Sequence, residues 1–235
     1  MQLNILFEDS DILVCEKPAG TPTQTRNFGI QDMVSLLRSY LAETNPSTNG
    51  IPYLGIIHRL DQPVGGIMVF AKTEKAASSL SRQIAAKQMK KQYLAILTKD
   101  LSNELGREPI LLSDYMVTDK KQNISRIVTQ KTPQAKKAEV TYQVLSVKSY
   151  HDQMLSLIKV NLLTGRQHQI RLQASYHLGG IFGDKKYNPL FQADKSRTSL
   201  GLYACHLSFL HPATGKKMDF EHVPSSELFQ LFSIE

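Results

Sequence analysis

The sequence predicts an α+β fold: a single large domain in which a mixed, mainly antiparallel sheet is flanked by helices. Short apolar runs typical of strands outnumber the helical segments, and they show little of the regular strand–helix alternation that marks a parallel sheet. No internal repeat, low-complexity linker or break in composition divides the 235 residues. We therefore expect one domain over residues 1–235.

The first segments predict a β-hairpin followed by a helix. The apolar runs Leu3–Phe7 and Ile12–Cys15 are separated by an acidic turn, and Lys17–Gly20 has the Pro and Gly of a chain reversal. Apolar residues between positions 30 and 41 follow helical spacing, and Asn45-Pro46 is expected to end that helix.

A buried strand and a capped helix are predicted next. The run Ile67–Ala71 is apolar without alternation, as in a strand covered on both faces. Thr73 is placed to cap a helix that continues to about Met89 and has one apolar face.

The second half of the chain predicts mostly strands. Gly165 introduces a helix that Gly179 should end, and residues 206–223 read as a hairpin that turns at Ala213–Gly215. The four predicted strands before that helix are Gln92–Thr98, Ile110–Val117, Glu139–Val147 and Met154–Leu163.

The composition is that of an ordinary globular protein with an excess of positive charge. Hydrophobic residues make up 41% and charged residues 21%, and the formal net charge is +7. The basic residues form two groups, which suit either a solvated face or contacts with phosphates. The first group is Lys75, Arg82, Lys87, Lys90, Lys91 and Lys99, and the second is Lys120, Lys121, Arg126, Lys131, Lys136 and Lys137.

Several classes of protein are disfavoured. Cys15 and Cys205 are too far apart in sequence to suggest a disulfide framework, and no short-spaced Cys/His set predicts a metal site. No basic segment followed by a long apolar core indicates a signal peptide, and no apolar run approaches the ~18 residues of a membrane span. We expect a cytoplasmic protein without a membrane segment.

Asp61 is the first candidate for chemistry. The stretch "HRLDQPVGG" places this carboxylate in a loop that opens onto the predicted buried strand. An Asp before Gln62-Pro63 often only satisfies turn amides, and Arg59 could simply pair with it. A loop anchored on a rigid strand is, however, where reactive side chains are commonly held.

Two further segments carry candidates. Arg166, His168 and Arg171 crowd the start of a predicted helix, where free N–H groups favour anions, although a surface helix capped by Thr164 explains the same pattern. Tyr93 opens an apolar strand behind two lysines, and such a tyrosine is commonly a core residue. The sequence lacks the frames of a phosphate-binding loop, a zinc protease and a serine hydrolase.

Five ordered motifs resemble those of the RluA-type RNA pseudouridine synthases. "HRLDQPVGGIMVFAKT" is similar to the His-Arg-Leu-Asp signature of that family. The other four motifs, which extend the resemblance almost end to end, are "ILFEDSDILVCEKPAGTPTQ", "KKQYLAIL", "LLTGRQHQIRLQASYHLGGIFGDKKY" and "HLSFLHPATGK". The resemblance implies the pseudouridine synthase fold, with a central RNA-binding cleft.

The resemblance also implies an activity and a set of site residues. The expected reaction is isomerisation of uridine to pseudouridine in rRNA or tRNA after base flipping, with Asp61 as catalytic carboxylate, Tyr93 stacking on the base and Arg171 as the ionic partner of Asp61. No metal, nucleotide or other cofactor is expected, and a monomer is favoured. The residues expected to contact RNA are His58, Arg59, Leu60, Lys91, Arg166, His168 and Ile170.

The chain departs from the family pattern at two places. Val64-Gly65-Gly66 stands where the family usually has Thr-Ser-Gly. The predicted first hairpin begins at about Leu3, so we expect no N-terminal RNA-binding domain. Two alternatives remain open: a catalytically inactive RNA-binding or RNA-folding protein on the same scaffold, and a carboxylate glycosidase acting on small nucleosides.

Overall fold

Eleven strands, five α-helices and one short 3₁₀ helix (Ser102–Glu104) make up the regular structure of the computed structural model over its described residues, which are 3–27, 29–44, 50–196 and 198–233. The strands are β1 (Asn4–Glu8), β2 (Ile12–Lys17), β3 (Gly55–Ile56), β4 (Gly65–Ala71), β5 (Lys90–Leu97), β6 (Ile110–Asp119), β7 (Ile124–Val128), β8 (Lys136–Tyr150), β9 (Gln153–Leu162), β10 (Leu202–Leu210) and β11 (Lys217–Glu221). The helices are α1 (Met33–Thr44), α2 (Glu74–Ala85), α3 (Gln169–His177), α4 (Pro189–Gln192) and α5 (Glu227–Gln230).

The chain divides into two units. Unit 1 comprises Met1–Lys90 and Ala204–His222, and unit 2 comprises Lys91–Tyr203 and Val223–Glu235. No helix within the described ranges is both long and apolar enough to cross a membrane. The prediction that residues 1–235 form one catalytic domain stays a prediction.

Unit 1 is built on strands in the order β1–β2–β4–β10, with β3 paired to β4 and β11 paired to β10. The pairs β1–β2, β2–β4 and β10–β11 are antiparallel, so both predicted hairpins are confirmed. Every residue of β4 is buried, as its unbroken apolar run indicates. Helix α2 packs its apolar face on this sheet, where Leu80 meets Val69 and Phe209 in the core.

Unit 2 is built on five strands in the order β5–β9–β8–β6–β7. The pairs β5–β9, β8–β9, β6–β8 and β6–β7 are all antiparallel. The long strand β8 alternates buried and outward residues along much of its length, as the sequence from Val140 to Val144 predicts. The mainly antiparallel α+β class is therefore confirmed.

Several elements differ from the prediction. Helix α2 is capped by the Thr73 side chain as expected but ends at Ala85, before Lys87 adopts a φ of 57°. Helix α3 begins at Gln169, because His168 at its N-cap has a φ of 55°. Strand β7 was not predicted, since the polar Ser125 and Arg126 interrupt its short apolar pattern. The predicted stop at 45–46 lies outside the described residues.

Candidate active site

The loop that carries Asp61 is tied to the turn after β2. The backbone N–H of Gly20 donates to the carbonyl of Gln62 at 2.8 Å, and the Gln62 side chain donates back to the carbonyl of Gly20 at 3.1 Å. A second bond closes the loop on itself, from the N–H of Val64 to the carbonyl of Asp61 at 3.0 Å. The backbone on both sides of the half-buried Asp61 is therefore fixed.

Lys17 lies beneath this loop and is fully buried, at 0% exposure. Its Nζ donates to the carbonyls of Thr21 at 2.6 Å, Pro18 at 3.0 Å and Gln62 at 3.1 Å. Burial lowers the pKa of Lys17 from 10.5 to about 7, while the negative charge of Asp61 acts in the opposite direction. Lys17 therefore joins the turn after β2 to the residue that follows Asp61 and places a titratable cation near that carboxylate.

Sequence reasoning treated Lys17 only as part of a turn. The available signal was that the apolar run Ile12–Cys15 is followed, after Glu16, by a lysine at the start of a Pro-x-Gly turn. Carbonyls in such a turn lack strand partners, and three ammonium hydrogens can satisfy several of them at once.

The three residues before Asp61 have different environments. His58 accepts a hydrogen bond at Nε2 from the N–H of Val69 at 3.2 Å, which docks it on β4. Leu60 is buried, and Thr23 Oγ1 donates to its carbonyl at 3.0 Å and accepts from its N–H at 3.3 Å. Arg59 is exposed. His58 and Leu60 thus have supporting contacts within unit 1, and the Arg59 side chain reaches solvent.

Tyr93 and Lys91 lie on β5 in unit 2. Tyr93 is only 7% exposed and stands opposite Val160 of β9. Lys91 is half-buried, and burial lowers its pKa. Its Nζ lies near the turn before α3, 3.9 Å from where a Cβ on Gly165 would be. A lysine that is partly removed from water beside this turn is suited to an anionic ligand.

Helix α3 places the predicted cluster differently from the sequence pattern. Thr164 is not the N-cap: its hydroxyl donates to Gln169 Oε1 at 2.8 Å, and the same oxygen accepts from the N–H of Arg166 at 3.0 Å. Arg166 is exposed, and its Nε donates to the carbonyl of Lys137 at 3.0 Å. His168 and Ile170 are buried.

Arg171 is buried in unit 2 and forms a two-pronged ion pair with Asp184. Its Nε donates to Asp184 Oδ2 at 2.9 Å, and its Nη2 donates to Oδ1 at 2.7 Å. The ring of Tyr187 lies 5.4 Å from the guanidinium carbon, in the range of a cation–π contact. Sequence reasoning did not single out Asp184 or Tyr187, although both belong to the quoted "GDKKY" segment.

The structure brings the predicted residues together in two groups. Unit 1 holds Asp61 with the three residues before it, whereas unit 2 holds Tyr93, Lys91 and the residues of α3 and its preceding turn. Their assembly into one site stays a prediction.

One group among the described residues has the spacing of a metal site: Asp9, Asp11 and His211. The Asp9 carboxylate already accepts from the N–H groups of Asp11 at 2.8 Å and Ile12 at 2.9 Å and lies 2.7 Å from His211 Nε2. His211 Nδ1 accepts from the N–H groups of Ala213 and Thr214, which leaves the ring hydrogen on the Nε2 that faces Asp9. These contacts describe a brace between the two hairpins of unit 1.

Comparison with known proteins decides the family. The family model described as RNA pseudouridylate synthase matches residues 11–176. The chain belongs to this family. An uncharacterised RNA pseudouridine synthase of Bacillus subtilis is 32% identical over 94% of this chain and 69% of its own length. Ribosomal large subunit pseudouridine synthase D of Zymomonas mobilis is 29% identical over 99% of this chain and 72% of its own length.

A solved structure supports the same assignment at the level of the fold. The human RNA pseudouridylate synthase domain containing 4 superposes with a TM-score of 0.73 at 22% identity, covering 97% of this chain and 91% of its own. The family model and the relatives confirm the resemblance to RluA-type synthases, and the superposition confirms the predicted pseudouridine synthase fold. The family is one of isomerases that act on RNA.

Val64, which departs from the usual pseudouridine synthase pattern, and Gly66, which matches it, both fit the packing of unit 1. Val64 is 3% exposed, so its isopropyl group occupies an apolar position. Gly66 has a φ of +127°, and a Cβ there would lie 2.3 Å from the carbonyl oxygen of Ala204 on β10. Glycine is required at this point because the backbone of β10 passes too close for any side chain.

Proposed function

We propose that this chain isomerises uridine to pseudouridine at specific sites in structured rRNA or tRNA, with Asp61 as the catalytic carboxylate. The observation that carries the proposal is the fixed loop around Asp61, held by Gly20, Lys17 and Thr23, in a chain of the RNA pseudouridylate synthase family. The name of the Zymomonas mobilis relative, a ribosomal large subunit synthase, supports rRNA as the first substrate to test.

The reaction exchanges one bond between base and sugar for another. The bond from C1′ to N1 breaks, the uracil turns, C1′ bonds to C5, and the hydrogen on C5 leaves while N1 gains one. A carboxylate can support this either as a nucleophile or as a base, since the anomeric centre carries oxocarbenium character in the transition state. Asp61 takes this role, Arg171 keeps it ionised, and Tyr93 offers its ring to the base.

The target uridine must leave its stack to reach a carboxylate, and base flipping leaves a gap in the RNA. The exposed Arg59, two residues before Asp61, is suited to fill that gap. His58 and Leu60 anchor the Asp61 loop within unit 1. Lys91 and Arg166 contact the phosphates of the RNA.

Exposed basic residues provide a binding surface for the phosphates of the RNA. Lys75, Arg82, Lys87 and Lys90 are exposed along and after α2 in unit 1. In unit 2 the exposed basic residues around β7 and the start of β8 are Lys120, Lys121, Arg126, Lys131, Lys136 and Lys137. Accessible cations of this number favour phosphate contacts, which make RNA affinity fall steeply with salt.

The test is release of tritium from RNA labelled at C5 of uridine. Asp61→Asn is expected to release none while it binds RNA within a few-fold of the parent chain, and Asp219→Asn, which alters a carboxylate on β11 in the same unit, serves as the control. Full release by Asp61→Asn refutes the assignment.

The same assay separates the alternatives. RNA binding by the parent chain without tritium release supports an inactive RNA-binding or RNA-folding protein. Free uracil in place of pseudouridine supports a nucleoside glycosidase. Mapping pseudouridine in total RNA from cells with and without the gene then names the site.

We also propose that the enzyme acts as a monomer in the cytoplasm, where it meets its RNA. Isomerisation consumes no redox equivalent and no nucleotide, so none is expected to be required. Light scattering after gel filtration checks the mass, and activity in the presence of a chelator checks the metal requirement.

A further inference from the structure

The Arg171–Asp184 ion pair differs from a simple surface ion pair in its burial and in the geometry of its hydrogen bonds. The side chain of Arg171 is 7% exposed and that of Asp184 is 1% exposed. Two parallel N–H···O bonds fix the plane of the guanidinium as well as its position, which a single contact would not do.

Asp184 is itself held by its own loop. Its Oδ1 accepts from the N–H groups of Lys186 at 2.9 Å and Tyr187 at 3.2 Å, in addition to Nη2 of Arg171. Its own N–H donates to the carbonyl of Ile181 at 3.2 Å. The carboxylate therefore cannot turn without breaking several bonds.

Tyr187 also contacts Arg171. Its ring contacts the guanidinium of Arg171, and its hydroxyl accepts from the N–H of Ser125 at 2.9 Å and lies 2.8 Å from His168 Nδ1. Ser125 in turn donates from its hydroxyl to the carbonyl of Gln167 at 2.8 Å. Strand β7 and His168 thus hold the hydroxyl of Tyr187, whose ring contacts Arg171.

We propose that Asp184 is a positioning residue that sets the orientation of Arg171 for the reaction, with the Tyr187 ring as its support. This inference rests on the proposed function, in which Arg171 serves the catalytic carboxylate. Asp184 accepts hydrogen bonds from Nε and Nη2 of Arg171. The third nitrogen of the guanidinium, Nη1, therefore points away from Asp184. Asp184 also balances part of the buried positive charge, which limits how strongly Arg171 stabilises an anion in the ground state.

The first test separates positioning from simple stability. Asp184→Asn keeps the size of the side chain but cannot accept two charge-assisted bonds from the guanidinium. We expect kcat to fall about 10–100-fold with KM within threefold, because a misplaced catalytic group costs rate far more than binding. The control is Tyr142→Phe, which removes a 2.7 Å bond from Tyr142 to Glu104 in the same unit. It should lower the thermal midpoint and leave kcat unchanged.

A second measurement does not depend on activity. In protein labelled with ¹⁵N-arginine, the Nε–H of Arg171 should exchange slowly with water, and Tyr187→Leu should accelerate this exchange while Tyr187→Phe preserves the ring contact and the slow exchange. These variants keep the inference testable if Asp184→Asn does not fold. A kcat within twofold of the parent in Asp184→Asn, or fast exchange in the parent chain, overturns it. Slow exchange in a chain that modifies no RNA would instead count against the proposed function.

Discussion

Replacing Lys17 by Met tests how the loop of Asp61 is held. The substitution keeps most of the length of the side chain but removes its charge and its donors to the carbonyls of Pro18, Thr21 and Gln62. Each carbonyl left buried without a donor lowers the stability by about 1–3 kcal/mol. Part of this loss is offset because the variant no longer buries a charged ammonium group. We expect the free energy of unfolding to fall by about 2–4 kcal/mol and kcat to fall with it.

The shifted pKa of Lys17 also predicts the direction in which folding stability changes with pH. Burial holds the pKa of Lys17 at about 7 in the folded chain against 10.5 ordinarily. Between pH 7 and pH 10.5, Lys17 binds more protons in the unfolded chain than in the folded chain. The contribution of Lys17 to the free energy of unfolding therefore rises with pH, by up to ~1.4 kcal/mol per pH unit. Below pH 7 the full cost of the buried charge is present in the folded chain.

Urea unfolding at several pH values between 7 and 10 measures both effects. The advantage of the parent chain over Lys17→Met should grow as the pH rises, and Lys75→Met, which alters an exposed lysine of α2, should follow the parent at every pH. A variant at position 17 with unchanged stability, unchanged pH slope and full activity would show that the buried ammonium does not hold the loop.

Three other outcomes are expected. Cys15 is 0% exposed and burial raises its pKa to about 12, so mass spectrometry should find it unmodified by a thiol reagent at pH 8 until urea is added. Gly66→Ala should lower the unfolding free energy by ~3 kcal/mol or more, because a Cβ would clash with the β10 backbone, whereas Gly165→Ala should change it by less than about 0.5 kcal/mol. Reversing the charge of Lys120 and Lys121 should weaken RNA binding and flatten its dependence on salt by about two units, since each phosphate contact contributes ~0.9 to the slope.

Local sequence patterns predicted most strands because each carries a local signal. The unbroken apolar run of β4 and the alternation in β8 depend only on which faces of the strand are covered. The start of α3 was missed because side-chain hydrogen bonds within the preceding turn set it, and the spacing of apolar residues does not report them. Gln169 turns back to bind Thr164 and Arg166, which displaces the first helical residue beyond His168.

Physical patterns alone directed attention to the Asp61 loop, to Tyr93 and to the cluster that holds Arg171, and the motif resemblance supplied the roles of these residues. The supporting residues were harder to find, since their roles depend on distant partners. Lys17 reaches a carbonyl 45 positions further along the chain, and Asp184 meets Arg171 only after the 183–187 loop folds back on α3. The local sequence around neither residue indicates which distant group it contacts.

The order in which unit 1 is assembled has a consequence for synthesis on the ribosome. Its core needs Leu207 and Phe209 against Val69 and Leu80, yet β10 follows the whole of the inserted unit 2 segment in the chain. A nascent chain that has emerged only as far as α2 therefore leaves the β10 side of β4 unpaired, and unpaired strand edges are prone to aggregate. The loop of Asp61 gains its β10 neighbour late in translation, so fragments released early should be degraded rather than bind RNA unproductively.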